Sequence, residues 1–105
     1  MELIIDDFTK ARGEPALLQI FCSQCHSHLM TYQKDGEGPL LRCYWDRIHA
    51  PDSLRHLHQL PEGKHPGFLN CPMCHQRIGE KILYEKERRW AFHLIEEKFF
   101  YQPKR

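Results

Sequence analysis

Residues 22–26, Cys-Ser-Gln-Cys-His, and residues 71–75, Cys-Pro-Met-Cys-His, are two copies of one short pattern. In each copy an aliphatic residue lies four positions after the second cysteine, Leu29 in the first and Ile78 in the second. A Cys-x-x-Cys turn lets two sulfurs converge on one metal ion, and two such turns complete a tetrahedron. The repeat therefore predicts that these distant segments meet in the folded chain.

The predicted metal ligands are the four cysteines of this repeat, Cys22, Cys25, Cys71 and Cys74. Structural zinc sites use this donor set, with Zn–S bonds of about 2.3 Å and no open position for a catalytic water. We therefore predict one structural Zn²⁺ and no catalytic residues. On this interpretation the protein is a binding module rather than an enzyme. Such an ion contributes on the order of 10 kcal/mol to folding, which suits a small domain.

The same letters, Cys-x-x-Cys-His, also describe an attachment site for c-type haem, with His26 and His75 as axial ligands. A simpler explanation for the histidines is conformational. The residue after the second cysteine of a metal turn often needs a left-handed backbone, and histidine is among the non-glycine residues enriched there. The alternative function is thus a small redox or electron-transfer protein, using haem or an iron held by four cysteines.

Length and charge limit the function classes. The chain has 105 residues and a formal net charge of +1, so we expect one small domain without strong attraction to nucleic acid or an anionic membrane. The sequence contains no apolar run long enough to span a bilayer, and its start lacks the features of a signal peptide. We expect a cytoplasmic protein whose cysteines are metal ligands or free thiols.

The order of apolar runs and turns predicts a small β-rich (α+β), metal-stabilised domain at residues 16–105, after a polar lead-in at 1–15. Residues 16–21 read as a strand that enters the first cysteine pair. Residues 29–34 and 40–48 read as the two strands of a hairpin, because a Gly- and Pro-containing turn separates them.

Two later segments are less regular. Residues 49–67 read as a His-rich loop with a short helix over 53–60, ended by Pro61. Residues 80–101 fit either a helix or strands. We predict strands, with Trp90, Phe92 and Leu94 alternating along one of them.

Cys43 and the histidines of the loop could each carry chemistry of their own. Cys43 lies between Leu41 and Trp45 on one face of its predicted strand, where a free cysteine is usually a small core residue rather than a nucleophile. His56 and His58 would share a metal only on an extended segment, and we expect a solvated loop there instead.

Charged and aromatic residues alternate in Arg88-Arg89-Trp90 and in residues 98–101, Lys-Phe-Phe-Tyr. This pairing can stack bases and bind phosphates. A small domain needs most of its aromatic side chains inside, however, so we predict a core hairpin with solvated edges. The expected partner is a protein first and RNA or DNA second, with no membrane partner.

With its cysteine pairs placed on hairpins, residues 21–101 resemble zinc-ribbon or rubredoxin-like proteins, including small bacterial ones. The pairs are also similar to the zinc site of methionine sulfoxide reductase B and its tent-like relatives. The resemblance implies zinc-ribbon-like antiparallel hairpins, or a tent-like arrangement of them, around one zinc. The reductase has its catalytic cysteine beyond the second pair, and no cysteine follows Cys74 here. We do not expect that activity.

Overall fold

The structure, a computed structural model, describes residues 2–104; Met1 and Arg105, the ends of the predicted lead-in and domain, lie outside the described residues. Its helices and strands are, in chain order, α1 (Asp7–Arg12), β1 (Pro15–Cys22), β2 (His28–Asp35), β3 (Arg42–Tyr44), β4 (Ile48–Ala50), α2 (Asp52–Arg55), β5 (Phe68–Asn70), β6 (Arg77–Tyr84), β7 (Arg89–Leu94) and β8 (Phe99–Pro103). Short 3₁₀ turns lie at Trp45–Arg47, Leu57–Gln59 and Glu62–Lys64.

The strands form two four-stranded antiparallel sheets, in the orders β4-β2-β1-β8 and β3-β7-β6-β5. The first cysteine pair spans the end of β1 and the turn to β2, and the second lies between β5 and β6. Strand β8 follows β7 in sequence but pairs with β1, so the end of the chain returns to the first sheet. The prediction of a small β-rich domain with antiparallel hairpins is confirmed.

The ambiguous segment 80–101 is made of strands, as predicted. Strands β6 and β7 pair in register from Gly79↔Leu94 to Tyr84↔Arg89. Phe92 and Leu94 are buried on either side of the exposed His93, which is the alternation of a half-buried strand. A turn in which the Lys98 N–H donates to the Ile95 carbonyl at 3.2 Å then leads into β8.

The predicted hairpin between 29–34 and 40–48 forms only at its end, where Tyr32 of β2 pairs with Ile48 of β4. Strand β2 pairs with β1 and β4, whereas β3 pairs with β7 in the other sheet. The 3₁₀ turn between β3 and β4 divides the segment, and it buries both Trp45 and Arg47. Trp45 packs in the apolar core while Arg47 reaches two carboxylates, so tertiary contacts override the pairing of sequence neighbours.

Both helical segments differ from prediction. The helix expected over 53–60 is shorter: α2 ends at Arg55 and a 3₁₀ turn follows at Leu57–Gln59. The predicted lead-in contains a helix, α1, that begins with a capping box. The Asp6 carboxylate accepts the Phe8 N–H at 2.9 Å, and the Thr9 hydroxyl accepts the Asp6 N–H at 3.3 Å.

One apolar cluster joins the two sheets. Its members come from strands β1 to β7 and the connections between them, and its largest fully buried side chains include Trp45, Phe92, Ile20, Met30 and Ile78. Leu29 and Ile78, the aliphatic positions of the repeat, are both in it. The repeat therefore supplies core residues as well as cysteines.

Ion pairs of Arg47 connect the residues before β1 to this core. Its guanidinium donates to Asp6 at 2.6 Å and to Asp35 at 2.8 Å, and the Arg47 and Asp35 side chains are only 2% and 3% exposed. Burial opposes the charge, but these hydrogen bonds outweigh it and hold the pKa of Arg47 above its usual value. The hydrogen bond to Arg47 also lowers the pKa of Asp6.

We predict that Arg47→Gln lowers the free energy of unfolding by about 3–5 kcal/mol, because it leaves the Asp35 carboxylate buried without its cation. Urea unfolding measures the change. The control is Arg55→Gln, since Arg55 is 55% exposed and lies 3.9 Å from Asp52. That pair should contribute less than about 1 kcal/mol. Equal losses in the two variants would contradict the role assigned to Arg47.

Candidate metal centre

Two hairpin turns bring four sulfur atoms together. Cys22 ends β1 and Cys25 lies in the turn to β2, while Cys71 follows β5 and Cys74 lies in the turn to β6. The Cys22 and Cys74 Sγ atoms are 3.6 Å apart, and the Cys25 and Cys71 Sγ atoms are 3.5 Å apart. All four Sγ atoms lie within 4.8 Å of one another. The four cysteines are thus positioned to hold a metal ion.

The spacing of the sulfurs fits a tetrahedral ion. Metal–sulfur bonds of about 2.3 Å place the sulfurs of a regular tetrahedron about 3.8 Å apart. All five cysteines are free thiols, and the sulfur separations are far beyond the S–S bond of about 2.05 Å found in disulfides. The cluster therefore has the donor atoms and the dimensions of a Cys₄ site.

Each turn is closed by the same pair of backbone hydrogen bonds. In the first turn the Cys22 N–H donates to the Ser27 carbonyl and the His26 N–H donates to the Cys22 carbonyl, both at 2.9 Å. The second turn, residues 71–76, repeats these bonds at 2.8 Å and 2.9 Å. The sequence repeat is therefore a structural repeat, and it presents each cysteine pair in the same way.

The histidines of the repeat have a conformational role. His26 and His75 have φ values of 64° and 69°, in the left-handed region. Two c-type haem groups would each need a separate cysteine pair, whereas here each sulfur of one pair lies within 4.8 Å of both sulfurs of the other. The geometry fits one ion shared by both pairs better than it fits two haem groups.

Hydrogen bonds, burial and neighbouring sulfurs shift the pKa values of Cys25 and Cys74 in opposite directions. Hydrogen bonding to the Ser27 hydroxyl and backbone lowers the pKa of Cys25 to about 6. The Gln76 backbone N–H favours the Cys74 thiolate, but burial and the neighbouring sulfurs outweigh it and raise the pKa of Cys74 to about 11. Metal binding requires thiolates, so loading the site would release the remaining protons.

Gln76 supports the cluster, and sequence reasoning missed it. Its side-chain amide donates to the Lys98 carbonyl at 3.0 Å, to the Ser23 hydroxyl at 3.3 Å and to the Cys22 sulfur at 3.6 Å. It therefore joins the second cysteine turn to the first and to the turn before β8. Its position in the repeat could have indicated this role, because Gln76 follows the second cysteine turn at the same place where Ser27 follows the first.

The other candidate residues are not brought to this site. Cys43 is completely buried in the apolar core, and burial raises its pKa far above the usual value. Among residues 2–104, the cysteine cluster is the only group of three or more His, Cys, Asp or Glu side chains placed to hold a metal. His56 and His58 therefore do not form part of such a group.

The residues predicted to form a hairpin with solvated edges, 88–90 and 98–101, differ in burial: Arg89 is buried, the side chains of Trp90, Phe99 and Phe100 are half-buried, and the remaining three are exposed. The Arg89 guanidinium binds both carboxylate oxygens of Asp46, at 2.7 Å and 3.2 Å, and is 5% exposed. Trp90 stacks on Trp45 with ring centroids 6.1 Å apart, and Phe100 stacks on Phe21 at 5.1 Å. These contacts confirm that the two segments contribute to packing.

No protein-family model, curated protein or solved structure matches this chain. The resemblance to zinc-ribbon and tent-like proteins thus rests on the four cysteines and their β-rich setting. Within residues 2–104, none of the helices has the length and apolar character needed to cross a membrane.

We predict that His75→Gly keeps the bound metal and changes the free energy of unfolding by no more than about 1 kcal/mol, because glycine adopts a positive φ freely. His75→Val should lose about 1–3 kcal/mol, since a β-branched residue is strained there. Metal content and urea unfolding measure both effects. Loss of the metal in His75→Gly would instead make the imidazole a ligand.

We predict that iodoacetamide alkylates Cys43 in the folded protein at least about a hundredfold more slowly than in the urea-unfolded chain, because reaction requires opening of the core. Peptide mass mapping follows Cys43 separately from the other cysteines. A rate above that of the unfolded chain would restore Cys43 as a candidate nucleophile.

Proposed function

We propose that this chain is a small binding module whose fold is stabilised by one structural Zn²⁺, held by Cys22, Cys25, Cys71 and Cys74. The observation that carries the proposal is the single cluster of four sulfurs. Four thiolates fill a tetrahedral shell and leave no position for a catalytic water. When bound, the ion would supply a cross-link and not a reactive group.

The placement of the ligands supports a structural role. One cysteine pair comes from the turn of the first sheet and the other from the turn of the second. An ion at this point would join the two sheets directly. Its binding free energy, on the order of 10 kcal/mol, is large compared with the stability of a typical small domain. We propose that the domain comprises residues 16–105, with 1–15 as its lead-in, in the cytoplasm.

The proposed partner is a protein. Leu41, Phe68 and Tyr101 are 50%, 44% and 45% exposed. Leu41 and Tyr101 lie in a groove that Ile95 and Phe99 also line. Exposed apolar side chains of this size are typical of protein contacts. Nucleic acid is the second choice, because Arg89 is buried, Trp90 stacks on Trp45 and the net charge is only +1.

A rubredoxin-like electron carrier is the second candidate function. The all-sulfur tetrahedral donor set suits iron as well as zinc. Cys25 is exposed, which would leave one ligand accessible to a redox partner. This alternative uses the same four residues, so metal identity distinguishes the two functions.

We predict that native mass spectrometry of the purified, tag-free protein, expressed without added metal, finds one zinc per chain and that a chelator unfolds the protein. Cys22→Ser and Cys74→Ser should each lose the zinc and the folded circular dichroism spectrum. The matched control is Cys43→Ser, which should keep one zinc although its buried hydroxyl lowers stability by about 1–3 kcal/mol.

The outcomes separate the candidates. Retention of zinc and fold in Cys22→Ser would contradict the shared four-cysteine site. Bound iron with visible absorbance would favour electron transfer over the structural zinc. Covalently attached haem would overturn both Cys₄ proposals.

A further inference from the structure

A cavity of about 130 Å³ lies beside α1 and is lined by residues from β2, β3 and the loop between them. It shares no residue with the cysteine cluster. Its charged lining contains five cations and two carboxylates: Arg12, Lys34, Arg42, Arg47 and Arg89 against Asp35 and Glu37. An excess of cations around a small cavity raises the question of what anion balances them.

Three of the five cations already have carboxylate partners. Arg12 pairs with Glu87 at 2.9 Å, and Arg47 and Arg89 form the buried ion pairs described above. Lys34 and Arg42 form no ion pair within the part of the chain that the structure describes. The uncompensated charge is therefore concentrated on these two side chains, while Arg12 keeps one buried Nε–H that has no hydrogen-bond partner among the described residues.

Tyr44 organises the donors at the cavity wall. Its hydroxyl oxygen accepts the Arg12 Nη2–H at 2.9 Å and the Arg42 Nε–H at 3.0 Å. Both acceptor positions of the oxygen are then used, and the hydroxyl proton can still be donated. Arg42 uses only its Nε in this contact, and its guanidinium lies 4.3 Å from the Tyr84 ring centroid. The two Nη groups of Arg42 keep their donors for a ligand.

The two carboxylates that line the cavity differ in whether they are free to compete with a bound anion. Asp35 is occupied, because one oxygen accepts from Arg47 and the other from Gln33, both at 2.8 Å. Glu37 is exposed and lies close enough to Lys34 to favour its charged form. Only Glu37 is expected to compete with an anion for the cations of the cavity.

We propose that this cavity binds a phosphate-sized oxyanion through Arg12, Lys34, Arg42 and the Tyr44 hydroxyl. Charge-assisted hydrogen bonds from guanidinium and ammonium groups are the strongest contacts available to such a ligand. The cavity volume limits the size of the group that can enter, because a cavity of roughly 150 Å³ holds one benzene molecule. The site therefore accommodates one phosphate group, free or at the end of a phosphate ester.

The environment of Lys34 agrees with an anion site. Burial, followed by repulsion from Arg12, lowers the pKa of Lys34. A bound anion would offset this repulsion and allow Lys34 to stay charged inside the cavity.

The test is titration of the zinc-loaded protein with inorganic phosphate at constant ionic strength, followed by the NMR signals of the arginine Nε–H groups. We expect saturable shifts for Arg12 and Arg42. Arg42→Gln and Lys34→Gln should each weaken phosphate binding at least tenfold, and Glu37→Gln should strengthen it. The matched control is Arg55→Gln. Arg55 does not line the cavity, so this variant should leave the affinity for phosphate unchanged.

Tyr44→Phe provides a milder variant that keeps the ring and removes only the hydroxyl. It should weaken phosphate binding even if Arg42→Gln does not fold. Phenyl phosphate distinguishes a phosphate ester from free phosphate as the ligand. Tighter binding than inorganic phosphate indicates an ester, and weaker binding indicates the free ion. Acetate should bind more weakly than phosphate.

Three results would overturn the proposal. These are shifts that chloride reproduces at the same ionic strength, equal binding of acetate and phosphate, and an affinity for phosphate that none of the cavity variants changes. Zinc content, measured on the same samples, separates failure of this site from failure of the metal site.

Discussion

The convergence of four sulfurs is the constraint on which the arrangement of the two sheets depends. Each cysteine pair lies at the end of a hairpin, and the Sγ atoms come within 4.8 Å only if both hairpin ends face each other. The repeated turns make this possible, because each closes with the same backbone hydrogen bonds and a left-handed histidine. Once the ends are fixed, Leu29 and Ile78 enter one shared core.

A second set of constraints is electrostatic and fixes the start of the chain. Arg47 joins the residues before β1 to β2 through Asp6 and Asp35. The Arg89 guanidinium lies between the rings of Phe8 and Tyr44, with distances of 4.1 Å and 3.9 Å to their centroids. Helix α1 is too short to be stable alone, so these contacts are what hold it. The anion cavity beside α1 is a consequence of the same arginine cluster.

Local patterns predicted several elements well because the relevant interactions are local. The strand at β1 and the strands within 80–101 follow from apolar runs and alternation in the sequence. Helix α1 was not predicted, although the residues of its capping box, Asp6 and Thr9, are close together in the sequence. The hairpin between 29–34 and 40–48 forms only where Ile48 pairs with Tyr32. Residues 42–44 pair with β7 instead, because strand pairing depends on burial on both faces and the turn between β3 and β4 buries Trp45 and Arg47 in different surroundings.

The sequence by itself determined the candidate ligands, the left-handed histidines and the buried character of Cys43, since each follows from residue type and short-range spacing. Only the tertiary structure decided that β3 and β4 belong to different sheets, that Gln76 supports the cluster and that Lys34 and Arg42 line one cavity. These features join residues far apart in the chain. Their energies depend on packing and desolvation, which no local pattern records.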